Sequence, residues 1–555
     1  MTPPRWVRSP RWLVLLAGGL PVLAFPAANL EFLAWFGLVP GLLLICRART
    51  AREGGIRGWW FGAGYVIAAT WWMAPEIGPG VILIGVVLGF FLVPFGVAVW
   101  SLLRPSALDL RRALAALAVV PSCWLLSEWL RSWQALGGPW AVYGASQWQH
   151  PAELALVSVG GVWLLSFALV VVNVSLTILV TLALPAGPTT TSSTTPLRAG
   201  TARRSGAAAR GVAGVAAGGV VLGVLAGPVV FAVSSPFPVV RHATVALVQP
   251  GVVDDPVLRT HASQTLTAQL SRGGSLSGTR PDLIVWGESS IAEDLTLPSS
   301  SALLRQLEVL SAQDGADILI SQDATPPGKG HEKWAVLVGP DGIKGTYIKT
   351  RLVPFGEYVP FRQQLGWLTK ISKAASSNML PGTGARLMYP ADRPGGPLPI
   401  GVLVCFESAF SDMARVDVSN GAQLLVYQSA TSTFQGTWGP DQHASLAAVR
   451  AAETGRPAVQ AALTGDTVAF DARGRLVAWM GQADKGVVTV RLGLPAATSV
   501  TLYDQWGDYV PWTAIGVVML AALIMLGRRQ GFLGGPAGAG DGRTAQYERG
   551  QSVPS

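Results

Sequence analysis

The chain has 555 residues, half of them apolar and 13% charged, with 41 Lys and Arg against 32 Asp and Glu. So small a charged fraction over so long a chain excludes an ordinary soluble protein. The basic balance does not point to nucleic acid, and no nucleic-acid partner is expected, because the arginines gather in short loops between apolar runs.

Taken in chain order, the sequence predicts about eight membrane-spanning runs of roughly twenty mostly apolar residues. They lie near 12–29, 31–46, 58–74, 81–103, 112–130, 158–184, 211–234 and 510–527. The first follows Arg5, Arg8 and Arg11 in the manner of a signal peptide, but further spanning runs follow at once, so it reads as retained. Arg47, Arg49, Arg52 and Arg57 lie between runs two and three. Arg104, Arg111 and Arg112 separate runs four and five, and Arg198, Arg203, Arg204 and Arg210 separate runs six and seven. Arg528 and Arg529 follow the last run. If every run spans, all these loops fall on one side, which predicts cytoplasmic termini and an extracytoplasmic domain.

The expected organisation is membrane helices one to seven over 1–234, an inserted extracytoplasmic domain over 240–505 and a last membrane helix over 506–530. The loop near 185–210 reads as a flexible cytoplasmic connector, and 531–555 as a disordered cytoplasmic tail. Within 240–505, strand-like runs recur at Ala243–Val248, Asp282–Trp286, Asp317–Ser321, Ala335–Val338, Ile400–Val404, Leu424–Tyr427 and Val487–Val490. Helical patterns at Ser301–Gln313 and Gln442–Glu453 alternate with some of them, which predicts a layered α/β domain. Gly339–Gly342 and Asp471–Gly474 read as hairpin turns.

Three segments set a reactive or charged residue at or just past an apolar strand. Leu283–Trp286 leads through Gly287 to Glu288, a carboxylate suited to moving protons once partly buried. Tyr347–Ile348 leads to Lys349, a cation able to face an oxyanion. The loop that follows, Val353–Pro360, carries Glu357 between two prolines. Val402–Val404 leads to Cys405, followed by Phe406 and Glu407. Cys405 is the one cysteine of the expected soluble domain, and a thiol accepts acyl groups once a neighbour activates it. Taken singly, each has a plainer reading: a surface glutamate, a solvated lysine, a buried structural cysteine. Together they could supply base, oxyanion partner and nucleophile. No metal-binding spacing, phosphate loop or Gly-x-Ser-x-Gly elbow is present in the sequence, so neither metal nor cofactor is expected.

The order Glu288, Lys349, Cys405 with these flanks resembles the nitrilase superfamily, whose fold is an αββα sandwich. The run Tyr347-x-Lys349-x-x-Leu352-Val353-Pro354-Phe355-Gly356-Glu357-Tyr358-Val359-Pro360 is similar to one branch, the bacterial apolipoprotein N-acyltransferases. Gly137–Trp140, Gly144–Gln147, Gly439–His443 and Arg450–Pro457 resemble that branch as well. The stretches Ser429–Phe434 and Leu463–Gly465 depart from its usual residues and bear on substrate preference.

The resemblance implies a multi-span membrane part with an inserted nitrilase-like domain in the bacterial cell membrane. It implies transfer of a fatty acyl group from a membrane phospholipid, through a thioester on Cys405, to the N-terminal amine of a diacylglyceryl apolipoprotein. Glu288 would accept the proton. Lys349 and a backbone amide near Phe406 would stabilise the oxyanion, with Glu357 and Glu407 in support. Trp140, Trp148 and the loop carrying Trp367 are candidates for contact with the lipid bilayer. Three other readings remain open: a membrane-bound amidase, a non-catalytic lipid- or lipoprotein-binding relative, and a transporter built around Glu128.

Overall fold

A computed structural model describes residues 10–184, 206–272, 280–326, 330–370, 377–390 and 396–529. The expected connector lies largely, and the expected tail wholly, outside the described residues.

Among the described residues, five helices are long and apolar enough to cross a membrane: Gly80–Leu103, Leu110–Arg131, Val157–Ala183, Gly206–Val233 and Tyr509–Gly527. Helix Ala51–Thr70, which is not among those five, carries Arg52, Glu53 and Arg57 in its first turns. Thr50 caps it by accepting the Glu53 N–H at 3.1 Å, and Arg57 pairs with Glu53 one turn on.

The first two expected runs are apolar and helical but built from shorter pieces. Residues 12–29 form a helix over Pro10–Gly19 that tightens to a 3-10 turn over Leu20–Ala24, and 31–46 split into a 3-10 turn at Glu31–Trp35 and a helix at Val39–Cys46. Pro21, Pro26 and Pro40 lack the N–H that a continuous helix needs. The resulting pieces reach only about 21–24 Å at 1.5 Å per residue, against a hydrocarbon core of about 30 Å. Val157–Ala183 is also interrupted, at Gly160–Gly161, where Gly161 takes φ +67°. A Cβ there would stand 2.7 Å from the Tyr503 ring.

The C-terminal half is an α/β sandwich of two six-stranded sheets. The strands are β1 (Val239–Gln249), β2 (Leu283–Trp286), β3 (Asp317–Ala324), β4 (Glu332–Gly339), β5 (Gly342–Ile348), β6 (Leu387–Met388), β7 (Ile400–Val404), β8 (Leu424–Ser429), β9 (Ala458–Ala462), β10 (Thr467–Phe470), β11 (Leu476–Met480) and β12 (Gly486–Pro495). One sheet runs β12-β1-β2-β3-β4-β5 and the other β11-β10-β9-β8-β7-β6. Each has three parallel strands at its centre, β1-β2-β3 and β7-β8-β9, flanked by antiparallel neighbours. Every residue of β2, β7, β8 and β9 is buried, as expected of parallel strands covered on both faces. Helices Pro256–Arg272 and Ser301–Asp314 cover the first sheet, and Ser411–Ser419 and Gly439–Thr454 cover the second.

The strands expected at 243–248, 317–321, 335–338, 400–404, 424–427 and 487–490 all lie within these elements, and that expected at 282–286 begins one residue later, at Leu283. Both expected helices lie within Ser301–Asp314 and Gly439–Thr454, and the two expected turns join β4 to β5 and β10 to β11. Helix Pro256–Arg272 was not expected: its residues are mostly polar, and no apolar period marks it.

One apolar core runs without a break from the membrane helices into the second sheet. The break in helix Val157–Ala183 serves this junction. There the Val162 N–H donates to Glu453 Oε1 on Gly439–Thr454 at 2.7 Å, and Trp163 Nε1 donates to Asp508 Oδ1 at 3.1 Å.

Candidate active site

Glu288, Lys349 and Cys405 stand one or two residues beyond the ends of β2, β5 and β7. The ends of central strands from the two sheets meet at this point. The Glu288 N–H donates to Ser429 O at 3.1 Å, which also accepts Leu463 N–H at 2.8 Å, and Gln428 Nε2 donates to Trp286 O at 2.8 Å. Gly287 permits the approach: a Cβ there would lie 2.0 Å from the Leu463 nitrogen.

Lys349 is wholly buried. Its Nζ donates to Glu288 Oε1 at 3.0 Å and to Glu357 Oε1 at 2.8 Å. Burial opposes the charged ammonium, but Glu288, Glu357 and the Cys405 position outweigh it, and the group is held well above the usual lysine range. Burial likewise pushes Glu288 up, yet Lys349 and Lys333 more than offset it, so the carboxyl rests below its ordinary value and is ionised near neutrality.

Cys405 adopts φ +52°, a left-handed conformation that side chains other than glycine's rarely take. Just past the end of β7 its Sγ faces Ala430 O at 4.0 Å, close enough to the Glu288 carboxylate to feel its charge. Burial, followed by the Glu288 charge, raises the thiol to about 12 despite Lys349. The resting sulfur is therefore a protonated thiol.

Glu357 and Glu407 brace the two loops. Glu357 Oε2 accepts Val353 N–H at 2.8 Å, which fixes the carboxylate that holds Lys349. Glu407 is fully buried, and its Oε1 accepts Tyr347 Oη–H at 2.8 Å, Thr350 N–H at 2.7 Å and Arg351 N–H at 2.9 Å. Its Oε2 accepts Val404 N–H at 2.8 Å. One side chain thus ties the strand before Cys405 to the loop after Lys349.

Residues 17–175 match the family profile described as apolipoprotein N-acyltransferase N-terminal domain, and residues 282–501 match the carbon-nitrogen hydrolase profile. The apolipoprotein N-acyltransferase of Rhizobium meliloti is 31% identical, with 92% of this chain and 94% of that protein aligned. That of Chlorobaculum tepidum is 28% identical over 95% of this chain and 98% of that protein. The chain belongs to the apolipoprotein N-acyltransferase family. Among solved structures, Nit3 of Saccharomyces cerevisiae, a nitrilase-superfamily member, is 18% identical with a TM-score of 0.34, over 47% of this chain and 93% of that one.

The remaining expected residues fall in different surroundings. Phe406 is buried against Phe410 and stacks on Trp140, with ring centroids 6.3 Å apart. Trp140 is half-buried and also meets the Trp72 ring of the membrane part, so it lies between the membrane helices and the Cys405 loop. Trp367 is exposed. Trp148 is corrected: it is buried within the protein, packed on Trp479 and Phe470, and has no face left for lipid.

Two site neighbours were not singled out by sequence. His443 directs Nε2 to Cys405 O at 3.0 Å and Nδ1 to Ser429 Oγ at 3.3 Å. Burial lowers its pKa, so the ring is neutral and holds the backbone of Cys405. Lys333, inside β4, lies 3.9 Å from Glu288 Oε1. Its signal was a lysine within a buried strand, visible only once β3 and β4 are paired.

Proposed function

We propose that this protein is a membrane acyltransferase that moves a fatty acyl group from a phospholipid, through a Cys405 thioester, to the α-amine of a diacylglyceryl-cysteine on a lipoprotein. Its catalytic domain, about 240–505, faces the extracytoplasmic side, with both termini cytoplasmic, since the arginine-bearing loops share one side. The observation that carries the reading is the buried Lys349, held between two carboxylates beside a thiol, in a chain of this family.

In the first half-reaction Sγ attacks the ester carbonyl carbon while Glu288 takes the thiol proton. Because the thiol rests near 12, the proton leaves as the S–C bond forms and not before. Negative charge moves to the carbonyl oxygen. Lys349 Nζ and the Phe406 N–H, in the first turn of the 3-10 segment Cys405–Ala409, stabilise it. Collapse breaks the C–O bond, and the departing lysophospholipid oxygen takes the proton from Glu288.

In the second half-reaction the lipoprotein amine attacks the thioester and passes a proton to Glu288. The C–S bond breaks, and Cys405 recovers its proton. The amide product is far less labile than the thioester, which drives the sequence forward. Both substrates are lipid-anchored, which accounts for an apolar core continuous from the membrane helices to the second sheet.

Expression in cells depleted of their own N-acyltransferase tests this. Lipoprotein N-termini, read by mass spectrometry, become N-acylated with the intact chain and stay free with Cys405→Ala. Free amines with the intact chain would exclude N-acyl transfer and favour an amidase or a binding protein.

A further inference from the structure

The steps above leave unused a buried cation that lies beside Glu288. Lys333 on β4 lies directly across from Asp323 on β3 and is 7% exposed. Its Nζ pairs with Asp323 Oδ1 at 2.6 Å, donates to Ser289 Oγ at 2.6 Å and stands 3.9 Å from Glu288 Oε1. Its carbonyl oxygen accepts the Lys349 N–H at 2.9 Å, so the main chain already fixes the spacing of the two lysines. Ser289, which Lys333 grips, has φ +52° and forms the turn that carries Glu288 past the end of β2.

Burying an ammonium is costly unless partners satisfy it. The side chain of Asp323 is 44% exposed, and a lysine needed only for that pair could have stayed in solvent. Instead the ammonium sits under Glu288. The groups facing Glu288 are Lys349 from the loop after β5, Cys405 after β7, His443 from helix Gly439–Thr454 and Lys333 from β4. Glu357 stands behind Lys349, and Asp323 behind Lys333. Among these described groups the positive charges are Lys349 and Lys333, and Lys349 is shared with Glu357.

We propose that Lys333 is a positioning residue for acyl transfer: it sets a second positive charge against Glu288 and holds Ser289 in the turn that aims Glu288 at Cys405. This rests on Glu288 being the proton acceptor. Asp323 tempers the same charge from the solvent side.

The test uses the full chain in phospholipid vesicles and follows the rate of thioester formation on Cys405 against pH. Lys333→Met removes the charge that keeps Glu288 ionised. The acid limb of its profile should move to higher pH, and the rate on that limb should fall about tenfold, the least expected for losing an opposite charge within about 4–6 Å. Lys333→Arg should restore the limb. Asp323→Asn, which leaves Lys333 untempered, should move the limb to lower pH and gives a reading even if Lys333→Met folds poorly. A rate lowered by one factor at every pH, or limbs that stay in place in both variants, would overturn the role of Lys333. Glu288→Gln separates the two claims. If it forms thioester at the wild-type rate, Glu288 is not the acceptor. If it is inactive while the limbs stay fixed, Lys333 alone is misassigned.

Discussion

The carboxylate of Glu407 accepts the backbone N–H of Thr350 at 2.7 Å, across the gap between the two loops that carry Lys349 and Cys405. The same oxygen serves Tyr347 and Arg351, and the other serves Val404. Glu407 is therefore a brace and makes no direct contact with Lys349 or Glu288 among the hydrogen bonds described. Glu407→Gln turns one of two acceptor oxygens into a donor facing donors. The expected loss is about 1–3 kcal/mol of stability per buried group left unpaired. The acyl-transfer rate should fall by about 10²-fold, as a misplacement near 1 Å produces. Thermal unfolding and kcat against KM check it: kcat falls, and KM for phospholipid changes little.

At Gly287 the two sheets approach each other closely. Gly287→Ala would put a methyl 2.0 Å from the Leu463 nitrogen, with backbone on the far side and no flexible side chain to yield. Overpacking of this kind costs about 1–3 kcal/mol or more. It would also shift Glu288 away from Cys405, so activity should fall further than the drop in melting temperature explains.

The strand ends before Glu288 and Cys405 were legible because each follows an apolar run that a two-sided buried strand demands, Leu283–Trp286 and Ile400–Val404. Lys349 instead follows β5, a half-buried edge strand, and was legible from its neighbours in sequence. The supports were not legible, because they depend on contacts between distant segments. His443 reaches Cys405 O from a helix 38 residues on, and Lys333 is paired by the β3–β4 register. Trp148 read as an interfacial residue from its neighbours in sequence, but Trp479 and Phe470 cover it from the far end of the chain. The first two membrane runs were apolar enough to read as spans, yet apolarity carries no information on continuity, and Pro21, Pro26 and Pro40 break them.

Cys405 should resist thiol reagents near neutrality. With the thiol raised to about 12, its thiolate fraction at pH 8 is roughly three orders of magnitude or more below that of a free cysteine near 8.5. In a Cys46→Ser, Cys123→Ser background, alkylation by iodoacetamide should be slower than in the denatured chain by about that factor. The Glu288 charge contributes to the shift, so Glu288→Gln should alkylate faster while transferring acyl groups more slowly. Alkylation is read by intact mass against time.

Asp466, beside the departing stretch Leu463–Gly465, carries a buried carboxyl raised to about 8, first by burial and then by the neighbouring Asp441 carboxylate. A folded-state value above the unfolded value of about 3.9 means the folded state holds the proton more tightly. Its favourable contribution is complete below about pH 4 and is lost progressively as pH rises to about 8. Asp466→Asn removes that loss. The variant's gain in melting temperature over wild type should be small at pH 5 and larger at pH 8, measured in one detergent.

The central claim is a thioester on Cys405, and intact mass spectrometry tests it most directly. The purified chain is incubated with phospholipid vesicles and no lipoprotein. The expected result is a gain of one fatty acyl mass on Cys405, released by neutral hydroxylamine, absent in Cys405→Ala and strongly slowed in Glu288→Gln and Lys349→Met. An unmodified Cys405 after prolonged incubation, or an acyl group carried on any other residue, would contradict the account.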